Sequence, residues 1–343
     1  MTTEDGSRPD GGPTDAARPL GTAEEFLSPE LLGLIEAVRV AARRIVAGAA
    51  PRRVALDIEA VHDFRVALRR LRTLLRPARR IYGKKRLQRI ADELRLYADA
   101  TSALRDEEVL RETLASLSLA DEVRPAVDRW IARRARKERA CRAEVTRLLA
   151  GGEAAPGQGA GAPGRSRRAL LAPERGAPPE PASPSPELEP CLARLASRLA
   201  HPKRKRLSAE DLARAAIDEA LADVRTLATA DPSDGPAMHA LRIRFKRLRY
   251  SAEAFVPVLR DQATQIAKAA SRMQRRLGQL HDVDEASLRM ARAWGLSPVE
   301  RDAVLAALVA ERERLVGKVA AELGRELEAL AAAWPVELPL VDN

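Results

Sequence analysis

The amino-acid sequence predicts an all-α protein: two pseudo-twofold-related helical bundles, the product of an internal duplication, with a basic central groove. Three observations predict it. Alanine, leucine and arginine dominate while aromatics make up only 3%, a composition that favours helices over sheets. Apolar residues recur at i, i+3 and i+4 through long stretches, the spacing of a buried helix face. One basic helical pattern occurs twice, at nearly constant separation.

The chain has 343 residues, 45% of them hydrophobic, enough for two ordinary domains with sizeable cores. Residues 1–20 are rich in Gly, Pro, Asp and Thr and read as a disordered tail. Helices follow near 24–48, 57–81, 85–104, 106–118 and 121–149, making a first half over 24–150. Residues 151–187 lose all apolar periodicity and read as a flexible Gly/Ala/Pro-rich linker. A second half, 188–335, holds helices near 188–200, 208–229, 236–259, 261–279, 282–293 and 297–333. Ser28, Asp57, Ser208 and Ser297 are the expected N-caps, and Pro298 suits the first helical position after Ser297.

The repeat is explicit in the residues. Val61-His62-Asp63-Phe64-Arg65-Val66-Ala67-Leu68-Arg69-Arg70-Leu71-Arg72 recurs as Met238-His239-Ala240-Leu241-Arg242-Ile243-Arg244-Phe245-Lys246-Arg247-Leu248-Arg249, offset by 177 residues. Leu104-Arg105-Asp106 is echoed by Leu280-His281-Asp282 at an offset of 176. Two blocks at nearly one offset point to a duplication.

On a helix each residue turns about 100°. Val61, Phe64, Leu68, Leu71 and Leu75 then form a buried stripe, as do Met238, Leu241, Phe245, Leu248 and Ala252. His62, Arg65, Arg69, Arg72 and Arg76 lie one residue round, on the shoulder of that stripe, and His239, Arg242, Lys246 and Arg249 repeat the arrangement. Like charges at i and i+4 repel, and no acid falls between Arg65 and Arg80 or between His239 and Ser251. An anionic partner is therefore expected. Cations about one turn apart suit a chain of closely spaced phosphates, and arginine can grip phosphate oxygens bidentately. Arg70 and Arg247 extend the two basic runs, and Lys85, Arg89, Lys268, Arg272 and Arg276 on following helices are further candidates to complete the groove.

The two blocks resemble the CHAD domain, the conserved histidine α-helical domain. The matching residues are His62, Arg65, Arg69, Arg70 and Arg72, then His239, Arg242, Lys246, Arg247, Arg249 and Tyr250, with Leu-Arg-Asp and Leu277 to Asp282 downstream. The resemblance implies an all-helical pseudosymmetric fold, binding of inorganic polyphosphate in a basic groove, and association with polyphosphate granules. It departs where Ser102 stands opposite Gly278, and no Glu-x-Glu-x-Lys motif of the triphosphate-tunnel domains fused to many relatives is present.

The net charge of +10 fits an acidic partner. Four phenylalanines, three tyrosines and three tryptophans supply few stacking platforms for single-stranded nucleic acid. Sequence-independent binding to a nucleic-acid backbone is the alternative reading, since it needs only arginine and lysine. The adjacent pairs His62-Asp63 and His281-Asp282 suggest a His-Asp phosphohydrolase, but a metal centre needs several converging ligands and the chain has four histidines. The expectation is a non-catalytic protein with no cofactor and no metal. Asp106 and Asp282 are expected to pair with basic residues and fix their rotamers. Cys141 and Cys191 form neither a disulfide framework nor a metal spacing, as in a reducing cytoplasm. The start lacks a signal-peptide pattern and the longest apolar run, Ala303–Ala310, is too short to span a bilayer. A cytoplasmic protein without a membrane partner is expected.

Overall fold

The structure is a computed structural model and describes residues 21–48, 58–150, 187–203 and 206–335. The expected tail, the Asp57 cap and all but the last residue of the expected linker lie outside the described residues. Nine helices run through them: α1 (Ala23–Ala47), α2 (Ile58–Tyr82), α3 (Lys84–Ser116), α4 (Arg124–Leu149), α5 (Leu188–Leu199), α6 (Ala209–Arg225), α7 (Gly235–Ala254), α8 (Val256–Met290) and α9 (Pro298–Ala333). The chain is all-helical; among the described residues the only β-type contact is an isolated bridge between Thr22 and Ser208.

That bridge marks the duplication. Thr22 caps α1 with a capping box to Glu25, and Ser208 caps α6 through the Asp211 amide. The Ala23 amide donates to the Leu207 carbonyl at 2.8 Å and the Ala209 amide to the Gly21 carbonyl at 3.2 Å. The starts of two equivalent helices thus hold each other reciprocally, as a twofold relation demands. In sequence α1–α4 make one bundle and α6–α9 the other. Across the junction α2 packs on α7, α3 on α8 and α1 on α6, while α5 lies against α1 and α3.

Both apolar stripes are buried, from Val61 through Leu75 and from Met238 through Ala252. Ser297 caps α9 as expected, with a capping box to Glu300. Ser28 does not cap: it lies inside α1, with its hydroxyl 2.7 Å from that of Tyr82. Thr22 takes the cap because Glu25, three residues on, can close the box.

Two expected breaks are absent. Leu104-Arg105-Asp106 and Leu280-His281-Asp282 lie inside the continuous helices α3 and α8. No Gly or Pro interrupts α3, and the single Gly278 costs α8 only about 1 kcal/mol. The motif echo marks a helix face here, not a boundary. The interruption expected near residue 260 exists as a kink: Arg260 is non-helical at φ 47°, ψ −118°, two residues after Val258 in the first turn of α8.

Acids on α9 brace the second bundle, and an acid on α3 ties the two bundles together. The Arg272 fork grips Glu326 with two bonds of 2.8 Å, and Arg276 donates to Glu322 at 2.8 Å, clamping α8 to α9. Buried Glu107 accepts from Arg134 on α4, pairs with Lys137, and accepts from Arg289 on α8 at 3.1 Å.

Candidate functional site

The helix pair α2 and α7 brings the shoulders of the two buried stripes together. A cleft of about 1160 Å³ has Arg65, Arg69, His239, Arg242 and Lys246 in its wall, with Arg105, Asp106, His281 and Asp282 from α3 and α8. Arg69 and Lys246 also line a neighbouring cavity of about 320 Å³, together with Arg72, Arg76, Arg247 and Tyr250. The sequence-predicted positions drawn together are therefore Arg65, Arg69, Arg72, Arg76, His239, Arg242, Lys246 and Arg247.

The charges there are unevenly matched. Arg247 reaches Asp223 and Glu219, and Arg76 reaches Glu219. Among the described residues Arg65, Arg69, Arg72, Arg242 and Lys246 have no ion-pair partner, and the nearest polar contact of Arg65 is the Ser102 hydroxyl at 3.5 Å. The Nε atoms of Arg69 and Arg242 are buried without an acceptor. A buried cationic donor left unmatched is costly.

Crowding shows in the titration of the cluster. Burial, then the charges of Arg69, Arg242, Arg65 and Arg72, push the Lys246 ammonium down to about 8. Burial also lowers Arg65, Arg69 and Arg72 from the ordinary guanidinium value. At the far wall burial raises Asp282 to about 6 against the opposing pull of Arg242. Asp106 is raised by burial too, and its oxygen lies 3.5 Å from Arg289, a pairing of the kind expected for it.

The duplicated positions have diverged in instructive ways. The His239 and His281 rings lie with their Nδ1 atoms 3.2 Å apart. Burial and Arg242 lower His281 to about 4, and burial lowers His239. In the first half the position matching His281 is Arg105, which bonds Glu108 and Glu112 instead. Ser102 and Gly278 both face the arginine of their own half: Ser102 accepts from Arg65, and a Cβ at Gly278 would stand 3.9 Å from the Arg242 Nε.

Tyr250 is the contributor that stripe spacing does not reveal. It sits at the end of the second motif, yet its ring lies 4.5 Å beneath the Arg69 guanidinium of the first half and 5.3 Å from that of Arg249. Cation–π contact fixes Arg69 without occupying its donors. At the matching place in the first half stands Thr73, whose hydroxyl bonds the Arg69 carbonyl.

Other predicted positions stand elsewhere. His62 and Arg70 are exposed, Arg249 pairs with Glu253, and none of the three lines these cavities. Lys85 and Arg89 are exposed on α3, as is Lys268 on α8. Arg272 and Arg276 are taken up by Glu326 and Glu322. The paired His-Asp motifs do not build a metal centre: Asp63 is held by Arg44, and no group of three or more His, Cys, Asp or Glu residues converges among the described residues. Among them, too, no helix is long and apolar enough to cross a membrane.

Comparison with known proteins supplies the family. The profile of the CHAD domain matches residues 36–158 and again 168–291. The fold is similar to the crystal structure of the CHAD domain from the plant Ricinus communis, with TM-score 0.60 and 19% identity, covering 96% of each chain. It is also similar to PptA from Streptomyces chartreusis, with TM-score 0.51 and 17% identity over 92% of this chain and 99% of that one. No curated protein matches the chain in sequence.

Proposed function

The chain belongs to the CHAD domain family, and from that premise we propose that it binds inorganic polyphosphate, without converting it, in the cleft between α2 and α7. The observation that carries this reading is the set of five cations, Arg65, Arg69, Arg72, Arg242 and Lys246, gathered without carboxylate partners. Arg69 and Arg242 offer buried Nε donors, and a run of phosphates supplies acceptors at the spacing of successive helix turns. The family is linked to polyphosphate binding in general, which agrees. The role proposed for the cleft is retention of the polymer. In the cell such retention would place the protein on polyphosphate granules.

Nucleic-acid backbone binding uses the same kind of contact. The unpaired cations are half-buried between two helices, where a slender phosphate chain reaches all of them. A duplex carries its phosphates on a broad cylinder and would meet only the rim. The site favours the slender polymer.

The test is calorimetric titration of long-chain polyphosphate into wild type and an Arg69→Ala, Arg242→Ala double variant. Each charge-assisted contact is worth about 1.5–3 kcal/mol, so affinity should fall at least about a hundredfold while the thermal midpoint is kept. A variant that binds within twofold of wild type would remove the cleft from the account.

A further inference from the structure

The basic lining does not stop at the helix crossing. A third cavity, of about 730 Å³, shares Arg76, Arg80 and Glu219 with the second and adds Arg79, Lys84 and Lys203. Its one acid, Glu219, is already bonded by Arg76 and Arg247. Among the described residues Arg79, Arg80, Lys84 and Lys203 have no ion-pair partner, and the Arg79 Nε is buried without an acceptor. This is the same signature as the central cluster, one to three helix turns further along α2.

The corner is built, and it draws on both halves. Lys203 belongs to the connection between α5 and α6, yet its amide donates to the Ile81 carbonyl at 2.8 Å. Nearby, Arg198 on α5 donates to the Tyr82 carbonyl. These bonds dock the connection onto the end of α2. Gly83 suits this turn because it takes φ 101°, a conformation other residues rarely adopt, and the Lys203 side chain lies against it.

The second half lacks an equivalent. At the offset of 177 residues that relates His62 to His239, Arg76, Arg79 and Arg80 correspond to Glu253, Val256 and Pro257. Glu253 turns back on Arg249, and α7 has already ended at Ala254. The continuation is one-sided.

We infer that the α2–α3 corner is a second anion subsite, formed by Arg79, Arg80, Lys84 and Lys203, which takes the outgoing end of a polyphosphate chain seated in the cleft. The inference rests on the polyphosphate reading of that cleft. From Arg65 to Arg80 the helix axis runs about 22 Å, so a polymer engaging both clusters needs on the order of eight phosphates at the spacing of one phosphate per two helical residues. The protein should therefore discriminate by chain length. Tripolyphosphate occupies one cluster, whereas a long chain is held by both and leaves in one direction.

The test compares tripolyphosphate with long-chain polyphosphate on the full chain, for wild type and an Arg79→Ala, Lys203→Ala variant. Long-chain affinity should fall about tenfold and its salt dependence should become shallower, with tripolyphosphate affinity unchanged within twofold. An Arg79→Lys, Lys203→Arg variant should keep most of the long-chain affinity, which separates charge from folding. Equal long-chain affinity in wild type and the alanine variant overturns the second subsite alone. A wild type that binds neither ligand overturns the cleft reading, and the subsite with it.

Discussion

At the scale of single residues, Lys246 expresses the conflict between folding and binding. Its ammonium is half-buried among four arginines, and its folded-state pKa of about 8 lies below the ordinary lysine value of 10.5. A depressed lysine contributes stability that is present above its unfolded pKa and lost as pH falls through about 8. At neutral pH its charge therefore opposes folding. Lys246→Met keeps the volume and removes the charge, so the thermal midpoint of the free protein at pH 7 should rise by on the order of a few degrees. Polyphosphate affinity should fall in the same variant. In wild type that affinity should weaken as pH rises through about 8, when Lys246 loses its proton, and the variant should lack this step. Calorimetric melts and titrations at pH 6.5 and 9 check both halves of the prediction; a variant less stable than wild type would mean that Lys246 is held by favourable contacts.

At the scale of elements, the paired helices were legible because the buried stripe and the basic stripe have the same period and differ by one residue. Val61 to Leu75 and Met238 to Ala252 are buried as that pattern requires. What was not legible depends on distant partners. Arg272 and Arg276 have the i, i+4 spacing of a binding face, but their acids, Glu326 and Glu322, lie on another helix about fifty residues away. Interruptions are expected at Leu104-Arg105-Asp106 and Leu280-His281-Asp282, whereas both segments lie in continuous helices whose residues line the cleft. Arg272 has a measurable consequence. Glu326 is 3% exposed while the Arg272 side chain is half exposed, so Arg272→Ala strands a buried carboxylate and should cost about 1–3 kcal/mol of stability. Since Arg272 lines none of the cavities around the cleft, polyphosphate affinity should stay within twofold of wild type. Denaturant unfolding and titration together decide this; a large loss of affinity with unchanged stability would return Arg272 to the binding surface.

For the whole molecule, duplication explains why the site lies where it does. Each half contributes one basic helix, and packing α2 on α7 sets them side by side, so the cations converge although neither bundle alone holds the set. The copies have not stayed equal. Tyr250 faces Arg69 where the other half offers Thr73, His281 meets His239 where the other half has Arg105, and α2 carries its charge past the point where α7 stops. The two halves of the candidate site are therefore unequal. Whether the proposed cleft selects a slender phosphate polymer over other polyanions is decided by titrating wild-type protein with long-chain polyphosphate at physiological salt in the presence of duplex DNA at equal phosphate concentration. Polyphosphate binding should be nearly unaffected by the DNA. Displacement of polyphosphate by DNA at that ratio would contradict it.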